Sequence, residues 1–147
     1  MKWITRERPK IDRIACPWLI LRFIDPHAEF LYVPSHKVLD IARETGAIPY
    51  DIPNVELGHQ GEFCSFDAFL KKYAPQSPQL STPALQKLAI IVRAADTGRL
   101  ELAPQAVGLL AISQGLSKIF ENDHEMLNYA LPIYDALYAW CKTDLQG

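Results

Sequence analysis

Apolar residues recur every three or four positions through the second half of the chain, a spacing that places them on one face of a helix. The first such segment begins at Thr82 and ends near Gly98, the second begins at Pro104, and the third begins at Asn122. Proline and asparagine are typical of the first positions of a helix, and glycine of the position after its last turn. The apolar positions are Leu85, Leu88, Ala89 and Val92, then Leu109, Leu110, Leu116 and Phe120, then Met126, Tyr129, Ala130, Ile133, Leu137, Trp140 and Cys141. The pattern predicts three helices that share a core.

The first half of the chain mixes short extended patterns with short helical ones. Its predicted elements are strands at residues 2–6 and 29–33, helices at 17–24 and 38–44, an extended stretch at 48–61 and a helix capped by Ser65. Pro17 is placed at the first helical position, where the missing N–H has no partner to lose. We predict an α+β fold that is predominantly helical, with a small strand-bearing N-terminal half packed on a three-helix C-terminal half.

Composition is that of an ordinary globular domain. Hydrophobic residues make up 49% of the chain and charged residues 22%, and 147 residues suffice for one core. The polar, proline-rich stretch 74–83 is interpreted as a surface connection, because each half alone would bury little apolar surface. Residues 1–147 are therefore predicted to form a single domain.

Charge and cysteine content limit the partners and the compartment. The formal net charge is −2 and the basic residues are scattered, so we expect no nucleic acid partner for this domain alone. The apolar run 14–20 is interrupted by Pro17 and is too short to cross a bilayer, and no signal peptide is visible. Three cysteines without a CxxC spacing indicate a reducing compartment. The expected location is cytoplasmic, with no membrane association.

Cys16 is the candidate catalytic residue. With Pro17 as the first helical residue, Cys16 takes the N-cap position, where unpaired N–H groups and the helix dipole favour a thiolate. Arg13 lies close in sequence and adds positive charge. The alternative is that Cys16 fills space in the core, because free cysteine is among the most buried residue types. Cys64 carries a weaker form of the same argument, and Cys141 is expected in the core.

Two histidines and an aspartate, His59, Asp96 and His124, form the candidate metal set. His59 lies in the turn GHQGE, where an imidazole and a carboxylate can reach one ion. His124 lies in the first turn of the last predicted helix, where the dipole keeps its imidazole neutral, as a metal ligand requires. The alternative is that each histidine caps a turn or meets water, since no dedicated spacing such as HExxH is present. The expected cofactor is a divalent metal ion whose identity the sequence leaves open.

Arg13, Arg22 and Arg93 are the candidate anion-binding residues. Arg22 and Arg93 each follow an apolar run, and an arginine on a buried helix needs either a carboxylate or a bound anion. The alternative to an oxyanion pocket is therefore structural pairing. The carboxylates considered for that pairing are Asp12, Asp25 and Asp96.

Several blocks of the sequence resemble a known family. They are KWITRERPKIDRIACPWLI at 2–20, HQGEFCSFD at 59–67, IVRAADT at 91–97, the stretch 102–117, and the tail positions 123–124 and 134–141. Together these blocks resemble the C-terminal domain of the ChrB-type chromate-resistance proteins over essentially the whole chain. Members of that family are linked to chromate resistance, some as chromate-responsive regulators and some fused to a rhodanese-like domain. Because this chain begins at the first block, activities of a preceding domain are not carried over.

The resemblance and the candidate residues together suggest two functions of different classes. The first is a chromate-resistance accessory domain that binds a metal ion or an oxyanion, with Cys16 giving it thiol-dependent redox activity. The second is a non-catalytic, chromate-responsive sensor or regulatory interaction module. The expected partners are a small oxyanion or metal ion and either a partner protein or a second copy of the chain. Whether the domain is an enzyme stays open.

Overall fold

The computed structural model describes residues 1–144 as an α+β domain dominated by helix, as the sequence predicts. Its strands are β1 (Lys2–Arg6), β2 (Glu29–Val33) and β3 (Ile48–Pro49). Its α-helices are α1 (Ile11–Leu19), α2 (Val38–Thr45), α3 (Ser65–Tyr73), α4 (Pro83–Thr97), α5 (Gln105–Ile119) and α6 (Asp123–Asp144). A π-helical stretch, Ile20–Ile24, continues α1, and short 3-10 turns lie at Ser35–Lys37, Ala74–Gln76, Pro78–Ser81 and Leu100–Leu102.

The three strands form a parallel sheet with β1 in the middle, in the order β2-β1-β3. Trp3, Ile4 and Thr5 of β1 are all fully buried, because the sheet is covered on both faces. At the carboxyl end of β1, the Thr5 hydroxyl donates to the Tyr50 carbonyl at 2.7 Å. The segment after β3 is thereby held beside the segment that leads from β1 into α1.

Helix α1 lies at the centre of the main core and contacts α3, α4, α5 and α6. Nearly all of its residues are buried, from Ile11 through Leu19. A smaller apolar cluster on the other side of the sheet packs under α2, and its buried members are Ile4, Val38, Ala47 and Ile52. The two clusters hold the sheet between α1 and α2.

The predicted start of the first helix is wrong by six residues. Helix α1 begins at Ile11, with Lys10 as its N-cap, and Pro17 lies inside it. Pro17 has no N–H to donate to the carbonyl of Arg13, so the helix loses one internal hydrogen bond there without ending. The ladder then widens, and the Asp25 N–H donates to the Ile20 carbonyl at 2.7 Å, five residues back. Cys16 is therefore an interior helical residue and not an N-cap.

The predicted extended stretch 48–61 is correct only for Ile48–Pro49, and the remainder forms turns. Asp51 and Asn54 both have left-handed backbone angles, with φ of +52° and +65°. The Asp51 N–H donates to the Leu57 carbonyl at 3.0 Å, which closes the loop on itself. A Cβ at Gly58 would lie 2.6 Å from the Ile52 carbonyl oxygen, so only glycine fits this crossing. The compact loop 50–58 sets the position of the residue that follows it, His59.

The helices of the second half agree with the sequence pattern. Helix α4 has Thr82 as N-cap and ends at Thr97, with Gly98, whose φ is +76°, as its C-cap. The Asn122 side chain accepts the Glu125 N–H at 2.9 Å at the start of α6. Helix α3 begins one residue earlier than predicted, because Cys64 and not Ser65 takes the N-cap position. Within residues 1–144, no helix is long and apolar enough to span a bilayer.

Candidate metal centre

The imidazole of His59 is surrounded by three carboxylates from three other segments of the chain. Its Nε2 lies 2.8 Å from Oδ2 of Asp96, 3.3 Å from Oδ1 of Asp51 and 3.6 Å from Oδ2 of Asp12. One potential ligand atom from each of Asp12, His59 and Asp96 lies within 4.8 Å of the other two. One nitrogen and at least two oxygens thus converge on a space of the size that a metal ion needs.

Asp12 comes from the first turn of α1 and is fully buried. Its Oδ2 accepts the Ser65 N–H at 2.6 Å and its Oδ1 accepts the Phe66 N–H at 3.2 Å. These are unpaired N–H groups of the first turn of α3, where the helix dipole also favours a negative charge. The start of α3 therefore fixes the orientation of the Asp12 carboxylate.

Asp51 comes from the compact loop 50–58 and is 5% exposed. Its Oδ1 accepts the Ser65 hydroxyl at 2.8 Å. Its Oδ2 faces two guanidinium groups, with Nε of Arg13 at 3.4 Å and Nη2 of Arg6 at 3.5 Å. The left-handed backbone at Asp51 is a strained conformation at the candidate site, where such strain is often found.

Asp96 lies near the carboxyl end of α4, and the end of that helix carries a negative dipole. Burial, followed by the negative charges of Asp12 and Asp51, raises the pKa of Asp96 to about 7. Burial also raises the pKa of Asp12. The pKa of His59 is raised to about 10, by its interactions with Asp12 and then Asp51, against the opposing effect of burial. His59 alone does not compensate the three carboxylates, and Arg6 and Arg13 contact only Oδ2 of Asp51. A further cation between Asp12 and Asp96 is therefore favoured.

Cys16 lies next to this cluster but not in the chemical state expected of it. Its side chain is fully buried, and its Sγ lies 4.0 Å from Oδ1 of Asp12. Burial, followed by the negative charge of Asp12, raises the pKa of the thiol well above its ordinary value. The expectation of a lowered pKa is therefore wrong, because the residue has neither a helix start nor an uncompensated cation beside it. Burial likewise raises the pKa of Cys64, and Cys141 lies in the core as expected.

His124 is not part of the cluster. It lies in the first turn of α6, as predicted, with its ring edge-on to Tyr32 at 5.2 Å between centroids. Of the three residues in the predicted metal set, the fold brings together His59 and Asp96 and leaves His124 apart.

The three candidate arginines each face a carboxylate, and they do not share one pocket. Arg13 pairs with Asp51 at the edge of the cluster around His59. Arg22 makes a bidentate contact with Asp135, at 2.9 Å for both nitrogens. Arg93 lies 3.3 Å from Asp67 on α3. Structural pairing was the alternative considered for Arg22 and Arg93, and it is what the fold contains, although with other carboxylates than those expected.

Two residues of the cluster, Asp12 and Asp51, are not among the candidate metal ligands named from the sequence. The sequence does indicate that Asp12 is unusual. It is a carboxylate between Ile11 and Ile14, four residues before Cys16, on a helix whose other residues are mostly apolar. Such a buried charge requires strong compensation. Asp51 carried no such signal, because only the folded loop turns it toward His59.

Comparison with known proteins identifies the family. The model of the family described as ChrB, C-terminal domain, matches residues 3–141, so the chain belongs to this chromate-resistance family. Protein ChrB from Cupriavidus metallidurans is 31% identical over 137 residues. That alignment covers 93% of this chain and 40% of the relative, so the chain spans less than half the length of this curated protein. No solved structure gives a significant match.

Proposed function

We propose that this domain serves chromate resistance by binding a divalent metal ion through Asp12, His59 and Asp96, with Asp51 beside them. The observation that carries the proposal is the position of His59 Nε2, within 3.6 Å of carboxylate oxygens from all three aspartates. A surface ion pair needs only one such oxygen. Three carboxylates, two of them almost completely buried, repel one another unless a cation joins them.

The donor set favours particular metals. One imidazole nitrogen with carboxylate oxygens suits manganese, iron(II) or zinc, whereas copper(I) prefers sulfur ligands. Binding requires His59 in its neutral form, so the metal replaces the proton that Nε2 shares with the aspartates. The N–H groups of Ser65 and Phe66, which bind Asp12, would orient that ligand from behind.

The cluster is open on one side, which suits the exchange of a small ligand. A hollow of about 460 Å³ adjoins it, lined by Arg6, Asp51, Ile52, Pro53, Asn54 and His59. The His59 side chain is 45% exposed at this opening. A bound metal ion would face the hollow with positions free for water or an oxyanion, and Arg6 would add a positive charge at its rim.

The proposal does not depend on Cys16. A buried thiol with a raised pKa is a poor nucleophile and a poor reductant, so the redox activity expected from the sequence has no geometric support. The sensor function remains the second candidate, and one observation favours it. The ligands come from α1, from the turn at His59 and from α4, so occupancy of the site would tie these segments together.

Calorimetric titration of protein freed of metal by a chelator tests the proposal, with manganese, zinc and, without oxygen, iron(II). We expect one ion per chain for at least one of these metals. His59→Gln and Asp96→Asn should each weaken binding by at least about tenfold. His124→Gln is the matched control, because His124 lies outside the cluster, and its affinity should equal that of the wild type. If none of the three metals binds the wild type stoichiometrically, the proposal is overturned.

A further inference from the structure

A second cavity lies between α3 and α4, apart from the hollow at His59. Its volume is about 360 Å³, within the range of small-molecule sites. Much of its wall is apolar, formed by Phe63, Leu70, Ala74 and Leu80. Its lining includes none of the candidate metal ligands Asp12, His59 and Asp96. The metal proposal therefore leaves this cavity without a role.

Positive charge exceeds negative charge along the polar part of the wall. Arg93 and Lys71 contribute two cations, and Asp67 contributes one carboxylate. Oδ2 of Asp67 already accepts both the N–H and the thiol of Cys64, at 3.1 and 3.3 Å. Lys71 forms no ion pair with any residue in the described part of the chain. One net positive charge remains available to a ligand.

Arg93 is held in place with donor capacity unused. Its guanidinium lies over the ring of Phe63, 4.9 Å from the centroid, and its side chain is 20% exposed. Its Nε is buried and donates no hydrogen bond to any described residue, although Asp67 lies 3.3 Å away. Asp67 thus faces the buried Nε, whereas the two Nη groups of Arg93 donate no hydrogen bond to any described residue and can serve a bound acceptor. Arginine presents a planar pair of donors that matches a carboxylate.

We propose that this cavity binds a small organic monoanion, a carboxylic acid with an apolar body. The carboxylate would lie between Arg93 and Lys71, and the apolar body would pack on Phe63, Leu70 and Leu80. One negative charge balances the net charge of the wall, while a doubly charged inorganic anion would lose its hydration against a mostly apolar surface. This site is independent of the metal proposal, since neither its charge nor its lining involves the metal ligands.

Titration of the isotope-labelled protein with benzoate, phenylacetate and hexanoate, followed by NMR, tests the proposal. We expect saturable binding of at least one acid, with shifts of signals from Phe63 and Leu70. Benzamide and phenylacetamide, the neutral counterparts of the two aromatic acids, should bind at least about tenfold more weakly. Sulfate should not displace the acid.

Variants then assign the binding to the cavity. Arg93→Gln and Lys71→Gln should each weaken binding of the acid by about fivefold or more, with little effect on its amide. Ala68→Leu, which fills the cavity, should abolish binding of both the acid and the amide. Arg22→Gln is the matched control, because it also removes an arginine from an aspartate pair, and acid binding should not change. Melting curves check that each variant is folded.

Three results would overturn the proposal. One is no saturable binding of any of the three acids below about 10 mM. Another is equal affinity for the acid and its amide, which would indicate an apolar cavity without selectivity for anions. The third is displacement by sulfate, which would describe an inorganic anion site.

Discussion

His59 differs from an ordinary surface histidine because it faces three carboxylates on one side and solvent on the other. Without a metal ion, the positive charge of His59 lies between all three carboxylates, while Arg6 and Arg13 add positive charge at Asp51 only. The pKa of His59 is raised to about 10 by its interactions with Asp12 and Asp51, and that of Asp96 is raised to about 7 by burial first and by the charges of Asp12 and Asp51 second. Both shifts reduce the net negative charge of the cluster. The protonation of the cluster is therefore linked to the stability of the metal-free fold.

The stability of the metal-free domain should fall as pH rises from about 6 to about 9. His59 has a folded pKa of about 10 against 6.5 in the unfolded chain, so its stabilisation is full below 6.5 and is lost toward 10. Asp96, whose pKa is raised from 3.8 to about 7, adds a loss of stability between about pH 4 and 7, which overlaps only the start of this range. Urea unfolding at a series of pH values measures the effect.

Ionisation of buried thiols and tyrosines also lowers the stability of the folded domain at high pH. A control variant is therefore needed to isolate the contribution of His59. The variant His59→Gln should show a shallower decrease between about pH 6.5 and 9 than the wild type. Equal slopes in the two proteins would contradict the role given to His59.

The sequence allowed half of the cluster to be named. His59 and Asp96 were identifiable because a histidine in a glycine-flanked turn and an aspartate at a helix end are ordinary metal ligands. Asp12 was present in a block used for family resemblance, but its burial was not inferred. Asp51 has a positive φ, which aspartate adopts more readily than most residues but which the residue type alone does not predict at a given position.

Among the elements, the compact loop 50–58 determines where His59 lies. The loop closes through the Asp51 N–H on the Leu57 carbonyl, and the chain crosses itself at Gly58. This glycine has a structural requirement that most of the others lack, because its missing side chain leaves room for the carbonyl of Ile52. A change here would shift His59 without touching any ligand.

Gly58→Ala should destabilise the domain by roughly 1–3 kcal/mol and weaken metal binding. The added Cβ meets the Ile52 carbonyl oxygen at 2.6 Å, and that oxygen belongs to the backbone and not to a flexible side chain. Chemical denaturation and the calorimetric titration measure the two effects.

Gly108→Ala is the matched control for this substitution. Gly108 lies in α5, and a Cβ there has no atom within 4 Å. Replacing a helical glycine in open space should stabilise the domain, by about 0.5–1 kcal/mol, and leave metal affinity unchanged. A Gly58→Ala variant as stable as the wild type would show that the crossing tolerates a side chain.

Predictability from sequence differs between the two halves for physical reasons. Helices α4, α5 and α6 have periodic apolar positions and lie between residues typical of helix ends, such as Pro83, Gly98 and Asn122, so periodicity and residue type locate them. Helix α1 is apolar almost all round and contains Pro17, so neither periodicity nor proline marks its true start at Ile11. The loop after β3 has no period at all, and its turns depend on contacts with distant residues.

At the scale of the whole molecule, the parallel sheet brings distant parts of the sequence together. Strands β1 and β3 end at the same edge, so α1 with Asp12 and the loop with Asp51 begin side by side. Helix α4, from the second half, adds Asp96 from across the core. The candidate metal centre is thus the place where both halves of the chain meet.

Metal binding should stabilise the whole fold, because no preformed site exists in the unfolded chain. At a free metal concentration of about 100 times Kd, the free energy of unfolding should rise by about 2.7 kcal/mol. Thermal melting with and without the metal measures this. His59→Gln should show little or no increase under the same conditions, and a full increase in that variant would place the bound ion elsewhere.

The first turn of α3 has neighbours on two sides. Ser65 and Phe66 hold Asp12 of the candidate metal centre through their N–H groups, while Cys64 just before them lines the cavity between α3 and α4. A displacement of this turn would therefore move residues at both the candidate metal centre and the cavity. Thermodynamic reciprocity then requires that an acid which changes metal affinity by some factor has its own affinity changed by the same factor. Through one helical turn, each occupant would report on the abundance of the other.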